Sequence, residues 1–305
     1  MKAPTNTASG VLLIDKPPGI TSHDVVGRAR KVMGTRKIGH AGTLDPMATG
    51  LLVLGVNSAT RLLTFMVGLD KVYEATIRLG QSTTTDDAEG EAIESRPTDA
   101  VTDEAIAAGI ERLTGPIEQV PSTFSAIKVD GRRAYDLARA GESVELTSRS
   151  VTISAFDVLG TRRDGARDEQ HVDLDVRIAC SSGTYIRALA RDLGAALGVG
   201  GHLTALRRTS VGPFEVADAT PIDSLDATAD LRSPATVAAR LFPTIAVDAD
   251  SAIALSQGKR VRVAEPDAAR AAAVSPDGRL VGLVQVVDGL ARPVVNFPTI
   301  PGEPE

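Results

Sequence analysis

The segment from Gly39 to Gly50 brings together residue types that are suited to chemistry. It reads G-H-A-G-T-L-D-P-M-A-T-G and holds three glycines, one histidine and one aspartate that is followed by a proline. Glycine allows a backbone to approach another group closely, and Pro46 restricts Asp45 to an extended conformation that gives its carboxylate a fixed direction. Asp45 is therefore a candidate for chemistry, and the alternative from spacing alone is an aspartate that caps a turn.

A second candidate segment runs from Ser182 to Leu193, S-G-T-Y-I-R-A-L-A-R-D-L. It has the form of a turn that leads into a helix. Near the start of this helix, Arg187 offers a permanent cation to a carboxylate elsewhere in the chain, and Tyr185 offers a ring that packs over a planar group. The alternative is an ordinary amphipathic helix start.

Several classes of site are disfavoured by what the sequence lacks. It contains neither a P-loop nor a dinucleotide-binding fingerprint, and it has no G-x-S-x-G segment for a serine nucleophile. Its single cysteine excludes a disulfide framework and a four-cysteine zinc site. The four histidines are dispersed, at His23, His40, His171 and His202. We expect neither a metal ion nor a cofactor.

The charges of the 305 residues are segregated along the chain. The formal net charge is −6, yet residues 1–80 hold ten Lys and Arg against five Asp and Glu, whereas residues 81–120 hold two against ten. Phosphate binding depends on local charge, so a basic surface on an acidic protein is compatible with a nucleic-acid partner. The first residues form no secretion signal, and the apolar stretch from Leu51 to Leu69 is too polar to span a membrane. We expect a soluble, cytoplasmic protein.

Periodicity predicts a mixed α+β fold rather than a regular βαβ repeat. Strands are expected at Gly10–Ile14, Leu51–Val56, Val72–Leu79, Val151–Leu159 and His171–Ala179, and helices at Asp24–Met33, 102–113, Ala134–Ala140 and Tyr185–Leu197. Further short strands at Arg260–Val263, Leu280–Val287 and Pro293–Phe297 are separated by turns and predict a small C-terminal β domain.

Six motifs, taken in chain order, resemble those of the bacterial tRNA pseudouridine-55 synthases of the TruB family. They are V-L-L-I-D-K-P-P-G-I-T-S from Val11, G-H-A-G-T-L-D-P-M-A-T-G from Gly39, K-V-Y from Lys71, S-A-I-K from Ser125, S-S-G-T-Y-I-R from Ser181 and L-R-R from Leu206. The resemblance implies the pseudouridine synthase fold over residues 1–245, with a mixed, mostly antiparallel central sheet flanked by helices and loops. It further implies an insertion at about 121–150 that clamps RNA and a PUA-like β domain at 246–305.

The same resemblance implies an activity and the residues that perform it. The enzyme would isomerise uridine 55 in the T arm of tRNA to pseudouridine, with the target base flipped out of its stack and without a cofactor. Asp45 would be the nucleophile, and attack at the sugar C1′ or at the uracil C6 are both open. Arg187 would pair with Asp45, Tyr73 would stack on the uracil, Tyr185 would line the pocket, and His40 would occupy the space that the base vacates.

The remaining expectations concern RNA contacts. Asp87 aligns with an acidic residue near the base, although the family usually reads T-D-T before it and this chain reads T-T-T-D-D from Thr83. Other residues expected to bind the substrate are Lys16, Lys128, Arg132, Leu206 and Arg207. The expected partner is the T stem-loop of tRNA, with no membrane, no required protein partner and a monomeric enzyme. Alternatives are a non-catalytic RNA-binding or tRNA-folding factor, a pseudouridine synthase for another RNA, and a sugar-active hydrolase.

Overall fold

The computed structural model describes residues 7–122, 128–129, 132–133, 146–164 and 170–297, and the two short strands at 128–129 and 132–133 are described by their backbone. The chain divides into two compact units. Unit 1 comprises Met1–Pro46, Gly50–Val67 and Val211–Glu305, and unit 2 comprises Met47–Thr49 and Gly68–Ser210. Asp45 therefore belongs to unit 1, and Arg187 belongs to unit 2.

The described helices are short and lie between strands. They are α1 (Ser22–Met33), α2 (Leu63–Met66), α3 (Asp103–Arg112), α4 (Ile186–Ala196), α5 (Pro234–Leu241) and α6 (Ala249–Ser256). Within the described residues, three further segments form 3₁₀ turns, at Asn57–Leu62, Val216–Asp218 and Ile222–Ser224. In the described part of the chain, none of the helices has the length and apolar character needed to cross a membrane.

The described strands are more numerous than the described helices. They are β1 (Gly10–Lys16), β2 (Ile38–His40), β3 (Thr49–Val56), β4 (Lys71–Leu79), β5 (Gln81–Thr83), β6 (Ala92–Ser95), β7 (Gly115–Gln119), β8 (Lys128–Val129), β9 (Arg132–Arg133), β10 (Arg149–Asp164), β11 (His171–Cys180), β12 (Gly201–Val211), β13 (Phe214–Glu215), β14 (Thr220–Pro221), β15 (Thr244–Ala246), β16 (Val261–Arg262), β17 (Ala268–Val274), β18 (Leu280–Val287) and β19 (Leu290–Asn296).

In unit 1, the strands β14, β1 and β3 lie side by side, and β2 pairs with β3. β1 runs antiparallel to β3 with Gly10 opposite Val56 and Lys16 opposite Gly50. Both strands are buried along nearly their whole length, as their continuous apolar sequence predicts. The hairpin from β2 to β3 contains the loop that carries Asp45.

Helix α1 follows β1 and is fixed at both ends. Thr21 and Asp24 form a capping box, and Gly34 ends the helix in the left-handed conformation at φ +61°. Its buried side is formed by Ser22, Val25, Val26, Ala29 and Met33. The helix therefore begins at a defined residue, which matters because Ser22 contacts the loop of Asp45.

In unit 2, the strand order is β12, β4, β11, β10, β7, and the pairs of β4, β11, β10 and β7 are antiparallel. β4 alternates between more and less buried residues, as its sequence predicts. Helix α4 follows β11 and contacts α3. The two helices pack closely at Gly109 of α3. A Cβ atom on Gly109 would lie 2.6 Å from the side chain of Leu193 of α4.

A five-stranded sheet with the order β15, β17, β18, β19, β16 lies at the C-terminal end of the chain. Its core includes Ile245, Leu255, Val281 and Val284. The expected strands near 260, 280 and 293 are confirmed, whereas the alanine-rich strand β17 was not expected from its composition. The prediction of a mixed α+β fold with a small C-terminal β module is confirmed.

The boundary at 245/246 stays a prediction, and the expected helix at Ala134–Ala140 lies outside the described residues.

Candidate functional site

Ser22 holds the loop that carries Asp45 by binding the backbone of the preceding residue, Leu44. The Ser22 hydroxyl accepts a hydrogen bond from the Leu44 N–H at 2.8 Å and donates one to the Leu44 carbonyl at 3.0 Å. Ser22 is the first residue of α1 and only 2% exposed. Both backbone groups of the residue that precedes Asp45 are therefore fixed to the start of a helix.

The other side of Asp45 is held through the carbonyl of Pro46. This oxygen accepts hydrogen bonds from the Gly19 N–H at 2.9 Å and from Lys16 Nζ at 3.1 Å. The Lys16 ammonium also donates to the carbonyls of Pro17 and Ile20, at 2.9 and 2.7 Å. Lys16 is fully buried, so these carbonyls take the place of water around its charge. The backbone is thus anchored immediately before and after the half-buried Asp45.

In unit 2, Arg187 of α4 forms a buried ion pair with Asp87. The two side chains are each 4% exposed, and Arg187 Nη1 lies 3.5 Å from Asp87 Oδ2. The same nitrogen donates to the Thr85 carbonyl at 2.7 Å. Asp87 Oδ1 in turn accepts hydrogen bonds from the Thr85 hydroxyl at 2.5 Å and from the Glu89 N–H at 3.0 Å. The structure thus places Asp87, the acidic residue expected near the base, beside Arg187.

One helical turn further along α4, Arg191 forms a second contact of the same kind. Its Nη1 lies 3.4 Å from Asp86 Oδ2, and its Nη2 donates to the Val120 carbonyl at 2.7 Å. Burial raises the pKa of the Asp86 carboxyl, and the positive charge of Arg191 opposes this rise. Two adjacent aspartates thus face two arginines that are four residues apart on one helix face.

Tyr185 directly precedes α4. The side-chain amide of Gln119, the last residue of β7, accepts a hydrogen bond from the Tyr185 N–H at 2.8 Å and donates one to the Tyr185 carbonyl at 3.0 Å. The Arg149 guanidinium carbon lies 5.8 Å from the centroid of the Tyr185 ring. Tyr185 is therefore contacted through its backbone and through its ring.

Tyr73 lies on β4 opposite Ile178 of β11 and is 9% exposed. Two residues earlier, Lys71 is also buried and donates to the Leu69 carbonyl at 2.6 Å. Burial lowers the pKa of Lys71 to about 8, helped by the nearby charge of Arg208. Burial raises the pKa of the Cys180 thiol, opposite Lys71, to about 11. This part of β4 is therefore a dry environment.

The structure also places the remaining expected residues. Arg207 Nη1 donates to the Thr49 hydroxyl at 3.4 Å, and this hydroxyl donates to the Leu206 carbonyl at 3.4 Å. His40 is half-buried at the end of β2, opposite Leu54 of β3. Lys128 and Arg132 lie in the β8–β9 pair, but their side chains are outside the described residues.

Sequence reasoning did not assign roles in the site to Ser22, Gln119, Asp86 and Arg191. Each acts on a partner that is distant in sequence, and the sequence separations are 22 for Ser22 with Leu44, 66 for Gln119 with Tyr185, and 105 for Arg191 with Asp86. No local pattern predicts such contacts. Within the part of the chain that the structure describes, no group of three or more His, Cys, Asp or Glu is arranged to hold a metal ion.

Comparison with known families covers most of the chain. Residues 30–186 match the N-terminal domain of the TruB family of pseudouridylate synthases, and residues 187–243 match a C-terminal domain of tRNA pseudouridylate synthase B. Residues 242–298 match a further C-terminal domain, described as that of tRNA pseudouridine synthase II.

Whole proteins show the same similarity. The protein named tRNA pseudouridine synthase B from Leifsonia xyli subsp. xyli is 56% identical over 296 residues, which cover 95% of this chain and 97% of that protein. The protein of the same name from Thermobifida fusca is 54% identical over 290 residues, which cover 95% of this chain and 99% of that protein.

Solved structures show a related fold. One belongs to an H/ACA ribonucleoprotein bound to a substrate RNA that contains 2′-deoxyuridine, with a TM-score of 0.67, 23% identity, and coverage of 95% of this chain and 85% of that chain. Another belongs to a Cbf5–Nop10–Gar1 complex, with a TM-score of 0.65, 25% identity, and coverage of 91% and 78%. The family matches along the chain and the extent of the identity together show that this protein belongs to the TruB family of pseudouridylate synthases.

Proposed function

We propose that this protein isomerises uridine 55 in the T arm of tRNA to pseudouridine and that Asp45 is its nucleophile. The observation that carries the proposal is the anchoring of Leu44 and Pro46, which fixes the backbone on both sides of Asp45. The relatives named tRNA pseudouridine synthase B support tRNA as the substrate. A carboxylate whose backbone is fixed in advance loses little entropy when it attacks.

The product is an isomer of the substrate, so the reaction involves no hydrolysis and no net oxidation or reduction. A single carboxylate nucleophile is sufficient for it. The bond between uracil N1 and the sugar C1′ breaks, the base turns while it stays in the pocket, and a bond forms between C5 and C1′. C5 then releases its proton to solvent, and N1 gains a proton. Asp45 attacks either C1′ or the uracil C6, and it is released when the new bond is complete. No water is added across the glycosidic bond, which distinguishes this chemistry from that of a hydrolase.

Asp45 must be ionised to attack, and we propose that Arg187 pairs with it. A nearby cation favours the charged form of a carboxyl group, and a guanidinium orients it through directed N–H donors. The contacts of Arg187 with Asp87 and with the Thr85 carbonyl support this role, because they hold the guanidinium in one orientation. Asp87 is thus proposed as a positioning residue for Arg187.

The target base must leave its stack before it reaches Asp45, which costs a few kcal/mol. We propose that Tyr73 stacks on the flipped uracil, that Tyr185 lines the pocket, and that His40 fills the vacated space. The buried position of Tyr73 on β4 supports a stacking role, since a ring in a dry environment offers its face to the base at little cost.

Contacts with the folded T stem-loop are assigned to Lys128, Arg132, Leu206 and Arg207, in line with RNA recognition through shape and phosphates. Lys16 is better supported as a positioning residue than as an RNA contact, since its ammonium is buried against backbone carbonyls. Action as a cytoplasmic monomer without a protein partner, and a separate C-terminal domain from residue 246, belong to the same proposal.

Release of the hydrogen from C5 tests the role of Asp45. An unmodified tRNA transcript that carries tritium at C5 of its uridines is incubated with wild type, with Asp45→Asn and, as a control, with Asp99→Asn, which alters an exposed carboxylate. We expect tritium release from wild type and Asp99→Asn and none from Asp45→Asn. Undiminished release from Asp45→Asn would remove Asp45 from the mechanism, and tight tRNA binding without release by wild type would indicate a non-catalytic RNA-binding factor.

A further inference from the structure

We propose that Gln119 is a positioning residue that sets the place of Tyr185 and of the helix start that carries Arg187, with Arg149 supporting the tyrosine ring. The proposal rests on the function proposed above and names two residues to which the resemblance gives no role. Gln119 is fully buried at the end of β7. Its amide makes one hydrogen bond to the N–H and one to the carbonyl of the same residue, Tyr185.

This pair of hydrogen bonds resembles the pairing of two β-strand residues. Tyr185 has extended backbone angles, φ −103° and ψ 105°, and its side chain does not cap α4. Its carbonyl also accepts a backbone hydrogen bond from the Leu189 N–H, in the first turn of the helix. The Gln119 amide therefore holds the residue from which α4 begins, and Arg187 follows two residues later. A displaced Tyr185 would move both its own ring and the guanidinium of Arg187.

Arg149 extends this contact to the ring of Tyr185. It is the first residue of β10 and lies directly opposite Gln119 in the β7–β10 pair. Its guanidinium carbon is within cation–π distance of the tyrosine ring, at 5.8 Å from the centroid. One pair of opposed strand residues thus holds the backbone and the ring of Tyr185. Arg149 is exposed, so its contribution is expected to be smaller than that of Gln119.

The Gln119→Glu variant separates positioning from mere filling of space. A protonated glutamic acid has the shape of glutamine, and it both accepts from the Tyr185 N–H and donates to the Tyr185 carbonyl. An ionised glutamate has no donor and places a negative charge beside that carbonyl. Burial raises the pKa of the introduced carboxyl. Arg149, opposite Gln119 in the strand pair, and Arg191, which donates to the Val120 carbonyl, are cations that lower it. Gln119→Met removes both hydrogen bonds at similar volume and cannot regain them at low pH.

The rate of pseudouridine formation is measured in a single turnover at saturating tRNA, as a ratio to wild type, from about pH 5.5 to about pH 8. We expect Gln119→Glu to be at least about tenfold slower than wild type at the upper end, with the difference shrinking as the pH falls. Gln119→Met should be slow throughout. Arg149→Leu should lose about two- to threefold, in line with one exposed cation–π contact. The Kd for tRNA should stay within about twofold of wild type, because positioning acts on the reaction step.

Gln81→Glu serves as the matched control. Gln81 is a half-buried glutamine of the same unit whose amide contacts Ser95, away from Tyr185, and its ratio to wild type should not change with pH. Thermal unfolding identifies any variant that is not folded in the assay, and the exposed Arg149→Leu then carries the test. A flat pH ratio for Gln119→Glu, wild-type turnover by Gln119→Met and Arg149→Leu, or a loss confined to tRNA binding would each overturn the proposal. Absence of turnover by wild type would instead contradict the proposed function.

Discussion

At the scale of single residues, composition pointed to the main candidates but not to the residues that hold them. Asp45 was recognisable because a glycine-rich loop places a proline directly after it, and Arg187 because it follows a turn near the start of a helix. Thr21 caps helix α1, and the hydroxyl of the next residue, Ser22, contacts Leu44 instead. Such a contact depends on the path of β2 and β3, which local sequence does not define.

Ser22→Ala should affect both stability and turnover. It removes two hydrogen bonds and leaves the buried N–H and carbonyl of Leu44 without the hydroxyl, which should cost about 1–3 kcal/mol in the free energy of unfolding. The loosened backbone should lower kcat by about tenfold. Urea unfolding and single-turnover kinetics measure the two effects. Ser154→Ala, which removes an exposed hydroxyl bonded to the Ala179 carbonyl, is the control and should change neither much. Equal behaviour of the two variants would argue against the anchoring of Asp45 by Ser22.

At the scale of elements, periodicity predicted the strands and helices that have strong patterns. β4 and α1 are examples, and both elements form close to the expected Val72–Leu79 and Asp24–Met33. β17 was missed because its sequence, A-A-R-A-A-A-V, is richer in alanine than most strands are. Its pairing with β15 and β18 decides its conformation, and this is tertiary information.

Two glycines of α1 and its cap should respond to alanine in opposite directions. Gly34 ends the helix at φ +61°, so Gly34→Ala should destabilise the protein by about 1 kcal/mol. Gly27 lies inside the helix with open space where a Cβ would stand, so Gly27→Ala should stabilise the protein by up to about 1 kcal/mol. Chemical denaturation of both variants measures the difference, and a shift of the same sign in both would contradict this account of the helix end.

Lys71 on β4 and Cys180 on β11 should make the free energy of unfolding change with pH in the alkaline range. Burial lowers the pKa of Lys71 from 10.5 to about 8, so below about pH 8 the folded protein keeps a buried charge. As the pH rises above 8, the folded state releases this proton before the unfolded state does, and stability should increase. Cys180, with its pKa raised to about 11, should act in the opposite direction above about pH 9.

Denaturation midpoints of wild type and Lys71→Met between about pH 7 and about pH 9 test this assignment. The difference in stability between the two proteins should shift in favour of wild type as the pH rises through 8. Cys180→Ala should leave this shift in place, because its thiol titrates at higher pH. A constant difference between wild type and Lys71→Met would show that Lys71 stays charged in the folded protein.

At the scale of the whole molecule, the net charge of −6 taken alone argues against a nucleic-acid partner. Segment counts showed that the acidic residues are concentrated, and the family resemblance then supplied the RNA partner. The sequence lacks a P-loop and a dinucleotide-binding fingerprint, but it does not show that Asp86 and Asp87 face Arg191 and Arg187. The two aspartates lie about a hundred residues before helix α4, which carries the two arginines.

Neutralising basic residues of the expected insertion should weaken tRNA binding in a salt-dependent way. Lys128→Gln together with Arg132→Gln should reduce the slope of log Kd against log salt by about 0.7–0.9 for each phosphate that the variant no longer neutralises. Binding titrations at several salt concentrations measure the slope, with Arg96→Gln as a control on the acidic segment 81–120. An unchanged slope in the double variant would remove these two residues from the RNA interface.

The most direct test of the central claim maps pseudouridine at single-nucleotide resolution in an unmodified tRNA transcript. Wild type should modify uridine 55 alone, Asp45→Asn should modify nothing, and a transcript with cytidine at position 55 should stay unmodified. Pseudouridine at another position with uridine 55 untouched, or product at uridine 55 from Asp45→Asn, would contradict the account.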